Sequence, residues 1–179
     1  NGQRITSPQA MPHIEMVLKG KVNGQLISCF NHHQSQAVGL SGKDAKIVIT
    51  QPRREYTIHE DGSKTLLDLG LVGDVESINT NLIRLLLREK ITPVMACIGT
   101  DENGQDYNVN ADIMAGHIAG ELKVDHFLLL TDIDGLNSCL IALETGAKSA
   151  TILNGTQPDL ITRKIIHNDN VGTTLFIHA

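Results

Sequence analysis

Tryptophan is absent from the chain and aromatic residues make up only 3% of it, so any core must be built from aliphatic side chains. No stretch approaches the roughly 18 consecutive apolar residues that a membrane-spanning helix needs, and no secretory signal is visible. Association with a membrane is therefore not expected. Basic residues are not in excess. Fifteen Lys and Arg stand against twenty Asp and Glu, a formal net charge of −5, which argues against a general nucleic-acid surface. The three cysteines, Cys29, Cys97 and Cys139, are widely spaced and form no C-x-x-C pair. That pattern fits a reducing cytoplasm better than a disulfide framework. Eight histidines include the adjacent His32 and His33, but none has a zinc-like partner spacing, so no metal site is expected. There is no internal repeat and no low-complexity segment. What remains is a chain of 179 residues, 41% apolar, long enough for one domain with its own core.

The most informative stretch is 105–136. Tyr107, Asn108 and Val109 read as a short extended run, and Asn110 as an N-cap whose side-chain oxygen can accept from the first helical turn. From 111 to 122 the spacing is helical, with Met114, Ile118 and Leu122 four apart. Ala111, Ala115, Ala119, Gly116 and Gly120 form a small-residue stripe that permits close packing. Phe127, Leu128, Leu129 and Leu130 then predict a strand buried on both faces, as in a parallel sheet. It ends in Thr131-Asp132-Ile133-Asp134-Gly135, an acidic turn at a strand's carboxyl end, where open α/β sheets bind ligands.

Elsewhere Ser7 and Pro8 read as N-cap and first helical residue, with a helix to about position 19 and a second helix past Gly20. A strand over 36–40 enters the turn Ser41-Gly42-Lys43-Asp44, and Ile47-Val48-Ile49 is a β-branched strand. The charged segment 52–63, with Asp61-Gly62 as its turn, predicts a hairpin or excursion. A helix over 78–89 should bury Ile78, Leu82 and Leu86. Strands are expected over 93–98, 150–153 and 173–177, and helices near 138–145 and 158–167. Strands alternating with helices make the class α/β with a mainly parallel sheet.

The candidate site residues have plain alternatives. Asn108, Asn110 and Asp112 suit a capped helix start with an acid in its first turn. The same geometry also suits a ligand site, because helix N-terminal N–H groups attract anions and amide side chains orient polar groups. Asp132 and Asp134 are either loop residues or ligand contacts. The Ser41–Asp44 turn lacks the G-x-x-x-x-G-K-[ST] of a Walker A loop. Arg4, one arginine near a terminus, reads by itself as a surface charge.

Taken together, several blocks carry a resemblance. They are Gly2-x-Arg4-Ile5-Thr6, Glu15-Met16-Val17-Leu18-x-Gly20-Lys21-Val22-Asn23, Ala37-Val38-Gly39-Leu40-Ser41-Gly42-Lys43-Asp44 and Asp68-Leu69-Gly70-Leu71-Val72-Gly73-Asp74-Val75. Further along come Tyr107-Asn108-Val109-Asn110-Ala111-Asp112, Leu130-Thr131-Asp132-Ile133-Asp134-Gly135 and Asn170-Val171-Gly172-Thr173. In this order they span nearly the whole chain and resemble the amino-acid kinase family, in particular its branch that phosphorylates N-acetyl-L-glutamate.

The resemblance implies a three-layer αβα sandwich around a mainly parallel central sheet. It also implies transfer of a phosphoryl group from ATP, with Mg²⁺, to the side-chain carboxylate of N-acetyl-L-glutamate in arginine biosynthesis. By position, Arg4, Asn108 and Asn110 are the expected substrate-binding residues. Asp112 is the catalytic carboxylate that orients lysines. Thr131, Asp132, Asp134, Gly135 and Leu136 are the expected nucleotide contacts. A homo-oligomer is the expected assembly.

The family pattern also includes a Lys-x-Gly-Gly turn and a second glycine-rich loop before position 1, and a Gly-Met-x-x-Lys segment near 134–138. None of these is in the 179 residues, so the chain is expected to be one kinase domain without those pieces. Acetylated aminoadipate, one methylene longer, is the alternative acceptor. A noncatalytic ligand-binding domain of the same fold is the alternative role.

Overall fold

A computed structural model of the chain describes residues 5–59, 61–131 and 135–177. They form two compact units, Asn1–Asn110 and Ala111–Ala179.

In the first unit Ser7 caps the chain's first helical run. Its Oγ accepts from the Ala10 N–H at 3.2 Å, and its carbonyl accepts from Ala10 at 3.0 Å and Met11 at 3.2 Å. The helix then runs through α1 (Met11–Glu15), a π-helical stretch Met16–Asn23 and α2 (Gly24–His32) without a break. The sequence predicts two helices parted at Gly20. The structure keeps one, because a single helical glycine costs only about 1 kcal/mol relative to alanine and the segment is pinned from outside. Asn23, buried in the π-helical stretch, donates from Nδ2 to the Val94 carbonyl at 2.8 Å.

The strands of this unit are β1 (Ala37–Ser41), β2 (Val48–Pro52), β3 (Glu55–Ile58), β4 (Lys64–Leu67) and β5 (Val72–Ile78). After α3 (Asn81–Arg88) come β6 (Thr92–Ala96), β7 (Ile98–Thr100) and β8 (Asp106–Val109). Strands β1 and β6 pair in parallel, with Gly39 opposite Val94. A Cβ at Gly39 would collide with Asn23 and Ile27, so the missing side chain is what lets the helical run lie against β1. Strands β2, β5, β8 and β7 close into a small mixed sheet. The hairpin is β3 with β4, antiparallel with Tyr56 opposite Leu66; its turn is the expected Asp61-Gly62, but its second strand, Lys64–Leu67, lies beyond the expected segment 52–63. It turns at Gly62, whose φ of +80° favours glycine, and Asp61 Oδ1 accepts from the Ser63 N–H at 2.9 Å.

One helix boundary differs from expectation. Ile78 ends β5 opposite Val48 and does not start α3. The most buried residue of α3 is Ile83, at 2% exposure, while Leu82 and Leu86 are half-buried. A β-branched residue at the end of a pleated strand, followed by Asn79 and Thr80, stays with the sheet.

The second unit holds α4 (Ala111–Leu122), β9 (Phe127–Thr131), α5 (Leu136–Thr145), β10 (Ala150–Asn154), α6 (Asp159–Ile165) and β11 (Thr173–Leu175). Its sheet runs in the order β11, β10, β9, with β9 and β10 parallel and β11 antiparallel. The core gathers Ala119, Phe127, Leu129, Cys139, Ala142, Leu143, Ala147 and Ala150. Helix α4 has the predicted bounds, and its buried residues are Met114, Gly116, Ala119 and Gly120. Of the small-residue stripe, Gly116, Ala119 and Gly120 face the core, with Gly116 against the Ser138 carbonyl and Gly120 against Thr145 of α5, while Ala115 is half-buried and Ala111 exposed. Strand β9 is not buried on both faces. Phe127 and Leu129 are buried, but Leu130 is 41% exposed, so only one face of the strand is covered. Its alternation is that of a half-covered strand. Among the described residues no helix is long and apolar enough to cross a membrane.

Candidate active site

In the first unit the candidate residues gather around β8. Tyr107 and Val109 are buried, so Asn108 points to the opposite side of the strand. Its backbone is held on both flanks, opposite Val72 of β5 and Ile98 of β7, and its N–H donates to the Leu71 carbonyl at 2.9 Å. The side chain is held as well, with Nδ2 donating to Thr6 Oγ1 at 3.2 Å. Thr6 is itself fixed. Its N–H donates to the Leu69 carbonyl at 3.0 Å, and its carbonyl accepts from Leu71 at 2.6 Å. Gly70, at φ +64°, lies so close that any Cβ would strike the Thr6 carbonyl. Asn110 directly follows the strand and is exposed. Arg4 lies outside the described residues.

Two charge clusters brace this part. Lys43 Nζ reaches Asp106 Oδ2 of β8 at 2.6 Å and Glu15 Oε1 at 2.7 Å. Partial burial pulls the Lys43 pKa down, but the two carboxylates outweigh it and leave the value above that of a free lysine. Lys19 Nζ meets Asp44 Oδ2 at 2.6 Å, and the same oxygen accepts from the Ser41 N–H at 2.7 Å and from its hydroxyl at 3.1 Å. Burial pushes the Asp44 carboxyl up, and the Lys19 and Ser41 bonds more than offset this, leaving it below the usual range. With its ammonium between two carboxylates, Lys43 serves as a structural tie from the first helix to β8.

The second unit presents the start of α4 and the end of β9. Asp112 is half-buried in the first turn of α4, where a negative charge complements the helix N-terminus. Among the described residues it forms no ion pair with a lysine or arginine. Its charge is felt by Cys139 of α5. Burial pushes the Cys139 thiol pKa up, and the Asp112 charge adds to the shift. Cys139 is fully buried, so it is an inert packing thiol.

Thr131 closes β9 opposite Asn154, and its carbonyl accepts from the Gly155 N–H at 3.1 Å. Gly135 is buried against Leu129, where a Cβ would clash, and Leu136 opens α5 at 43% exposure. Asp132 and Asp134 lie outside the described residues. His117 of α4, half-buried, has its pKa lowered by burial, against a smaller opposing pull from Glu121.

Asn108 and Asn110 thus stand at the end of β8 in the first unit. Asp112, Thr131, Gly135 and Leu136 stand at the helix starts and strand end of the second. The residue the sequence reading passed over is Thr6. It lay inside the Gly2-x-Arg4-Ile5-Thr6 block, but nothing in the sequence tells that its hydroxyl meets Asn108.

A model of the amino acid kinase family matches residues 2–153. The chain is 33% identical over 211 aligned residues to an acetylglutamate kinase of Methanocaldococcus jannaschii, covering 98% of this chain and 70% of that protein. It is 34% identical over 207 aligned residues to an acetylglutamate kinase of Geobacter metallireducens, covering 97% of this chain and 71% of that one. Among solved structures, the N-acetylglutamate synthase of Neisseria gonorrhoeae in complex with coenzyme A and N-acetyl-glutamate superposes with a TM-score of 0.78 at 18% identity. That match covers 99% of this chain and 46% of the synthase, and shows a shared fold. With the family model matching residues 2–153 and relatives at 33–34% identity aligned over almost the whole chain, the chain belongs to the amino acid kinase family.

Proposed function

We propose that the protein transfers the γ-phosphoryl group of ATP to the side-chain carboxylate of N-acetyl-L-glutamate, giving an acyl phosphate and ADP. One observation carries the reading: relatives bearing the name acetylglutamate kinase match at 33–34% identity over 97–98% of the chain. The chemistry fits the residues. The accepting carboxylate is already ionised near neutral pH, so the site needs no general base. Catalysis then rests on positioning and on offsetting the charge of the transferred phosphoryl group. Magnesium enters as part of the substrate, carried on the triphosphate. The described residues gather no set of three His, Cys, Asp or Glu side chains around a metal position.

In this reading Arg4, Asn108 and Asn110 hold the acceptor. Asp112 orients the lysines that meet the transferred group, and the 131–136 loop contacts the nucleotide. Those lysines belong to the family's Lys-x-Gly-Gly and Gly-Met-x-x-Lys elements, which the 179 residues do not contain. The match to the M. jannaschii enzyme runs over 211 positions against a chain of 179 residues, so that relative carries residues inside the matched span that this chain does not. A segment at 134–138 is where the family pattern puts one of the missing lysines. A homo-oligomer belongs to the same proposal: the first helical run leaves Met16, Leu26 and Phe30 between 43% and 62% exposed, apolar surface of a kind that marks contact sites.

The test is Arg4→Ala in the full-length protein. A guanidinium gripping the substrate carboxylate contributes roughly 1.5–3 kcal/mol, the range for a charged hydrogen bond. The KM for N-acetyl-L-glutamate is expected to rise by about 10- to 150-fold while the KM for ATP stays within about twofold. Equal losses for both substrates would contradict the assignment. Running acetylated aminoadipate beside N-acetyl-L-glutamate fixes the acceptor, since one methylene changes discrimination by about 1–3 kcal/mol.

A further inference from the structure

The side chain of Lys43 does more than its turn requires. The turn at 41–44 is fixed without the ammonium. The Lys43 N–H donates to the Ile98 carbonyl at 3.0 Å, the Val48 N–H donates to the Gly42 carbonyl at 2.7 Å, and Asp44 bonds Lys19 and Ser41. Yet Lys43 Nζ extends to two carboxylates, Asp106 Oδ2 at 2.6 Å and Glu15 Oε1 at 2.7 Å. The three side chains are between 24% and 34% exposed, so water screens their charges only in part. Asp106 opens β8, and Asn108 lies two residues on. With Tyr107 and Val109 buried, the alternation of the strand puts Asp106 and Asn108 on one face, about 6.6–6.8 Å apart along it. The carboxylate that Lys43 engages therefore shares a strand face with Asn108.

We propose that Lys43 is a positioning residue that acts by charge: its ammonium cancels the Asp106 carboxylate, which would otherwise repel a dianionic acceptor at Asn108. This rests on the reading of Asn108 as a substrate-binding residue and gives a role to two residues outside that set. N-acetyl-L-glutamate carries two carboxylates, both ionised near neutral pH. A ligand group at Asn108 lies within about one Debye length of Asp106, roughly 8 Å at physiological ionic strength. Without Lys43, repulsion over that distance would be only partly screened, and the Glu15 carboxylate would add to it. Burial alone would pull the Lys43 pKa down, but the bonds to Asp106 and Glu15 outweigh it, so the ammonium stays charged at neutral pH.

Lys43→Met keeps the stem and removes the ammonium. Asp106→Asn removes the opposing carboxylate, and the double variant removes both. Steady-state kinetics on the full-length protein, with a melting temperature read on each preparation, separate charge from structure. Lys43→Met is expected to raise the KM for N-acetyl-L-glutamate about tenfold, with the KM for ATP within about threefold. The ratio of its KM to that of the wild type should fall to within about threefold near 1 M salt, where the Debye length is about 3 Å. Adding Asp106→Asn to Lys43→Met should return the KM to within about threefold of wild type, although the bond between the two residues is then lost altogether. Lys43→Arg keeps the charge and should stay near wild type. A double variant as impaired as Lys43→Met leaves the lysine a structural tie and overturns the inference, as does a Lys43→Met protein whose KM is unchanged. If Lys43→Met does not fold, Asp106→Asn alone decides. Removing only the carboxylate should leave the KM within about threefold of wild type or lower it, and a larger rise overturns the inference. Wild-type protein that neither binds nor phosphorylates N-acetyl-L-glutamate overturns the substrate reading itself, and this inference with it.

Discussion

Asp112→Asn in the full-length protein is expected to lower kcat about a hundredfold or more while changing the KM for N-acetyl-L-glutamate only slightly. The side chain sits half-buried in the first turn of α4, and no described lysine or arginine pairs with it. Its proposed partners are the lysines that meet the transferred phosphoryl group. Those contacts matter most when charge builds on the phosphoryl in the transition state, so their loss falls on kcat and not on ground-state binding. The competing role is electrostatic support of the helix start, worth about 0.3–1 kcal/mol at most positions. Asparagine keeps the size and removes the charge, so stability and kcat read on the same preparation separate the two roles. Steady-state kinetics and a denaturation curve on the same preparation give the answer. A stability loss of about 1 kcal/mol with kcat per folded molecule unchanged would leave Asp112 as a helix-start residue only.

Gly116→Val is expected to destabilise the second unit by about 3 kcal/mol or more. On helix propensity alone, replacing a mid-helix glycine should help, by up to about 1 kcal/mol for alanine. Packing decides otherwise. A Cβ on Gly116 would lie 2.5 Å from the Ser138 carbonyl oxygen, which is backbone at the start of α5 and cannot swing aside. One turn on, Gly120 meets Thr145 in the same way. Any side chain at Gly116 pushes α4 away from α5 and opens the core at Ala119, Cys139 and Ala142. Gly116→Ala fixes the sign: destabilisation shows that contact outweighs propensity, and an alanine variant more stable than wild type would overturn the packing argument. Urea titration monitored by circular dichroism is sufficient for both.

These cases show what the sequence could and could not reveal. Helix α4 was legible because its start, its small-residue stripe and its length are all local. The hairpin at Gly62 was legible for the same reason, since Asp-Gly between β-forming runs leaves few other conformations. The helix through Gly20 was not, because what sustains it is Asn23 reaching Val94, a contact between residues far apart in the chain. Ile78 was assigned to α3 because a run of apolar residues does not say where a strand ends. Four consecutive apolar residues in β9 likewise implied a strand covered on both faces, whereas the sheet of its unit leaves Leu130 exposed. At the candidate site, Asn108, Asn110 and Asp112 stood out as polar residues in an apolar setting. Thr6 did not, since a threonine after an isoleucine has no signature, and its bond with Asn108 exists only once β8 lies beside it.

The most direct test of the account is to incubate the full-length protein with ATP, Mg²⁺, N-acetyl-L-glutamate and hydroxylamine, then measure ADP and hydroxamate together. An acyl phosphate on the side-chain carboxylate is attacked by hydroxylamine, which forms the C–N bond of the hydroxamate and expels inorganic phosphate. The account predicts hydroxamate and ADP in equal amounts, both dependent on N-acetyl-L-glutamate. Saturable binding of N-acetyl-L-glutamate with neither ADP nor hydroxamate formed would contradict it and make this chain a ligand-binding member of its family.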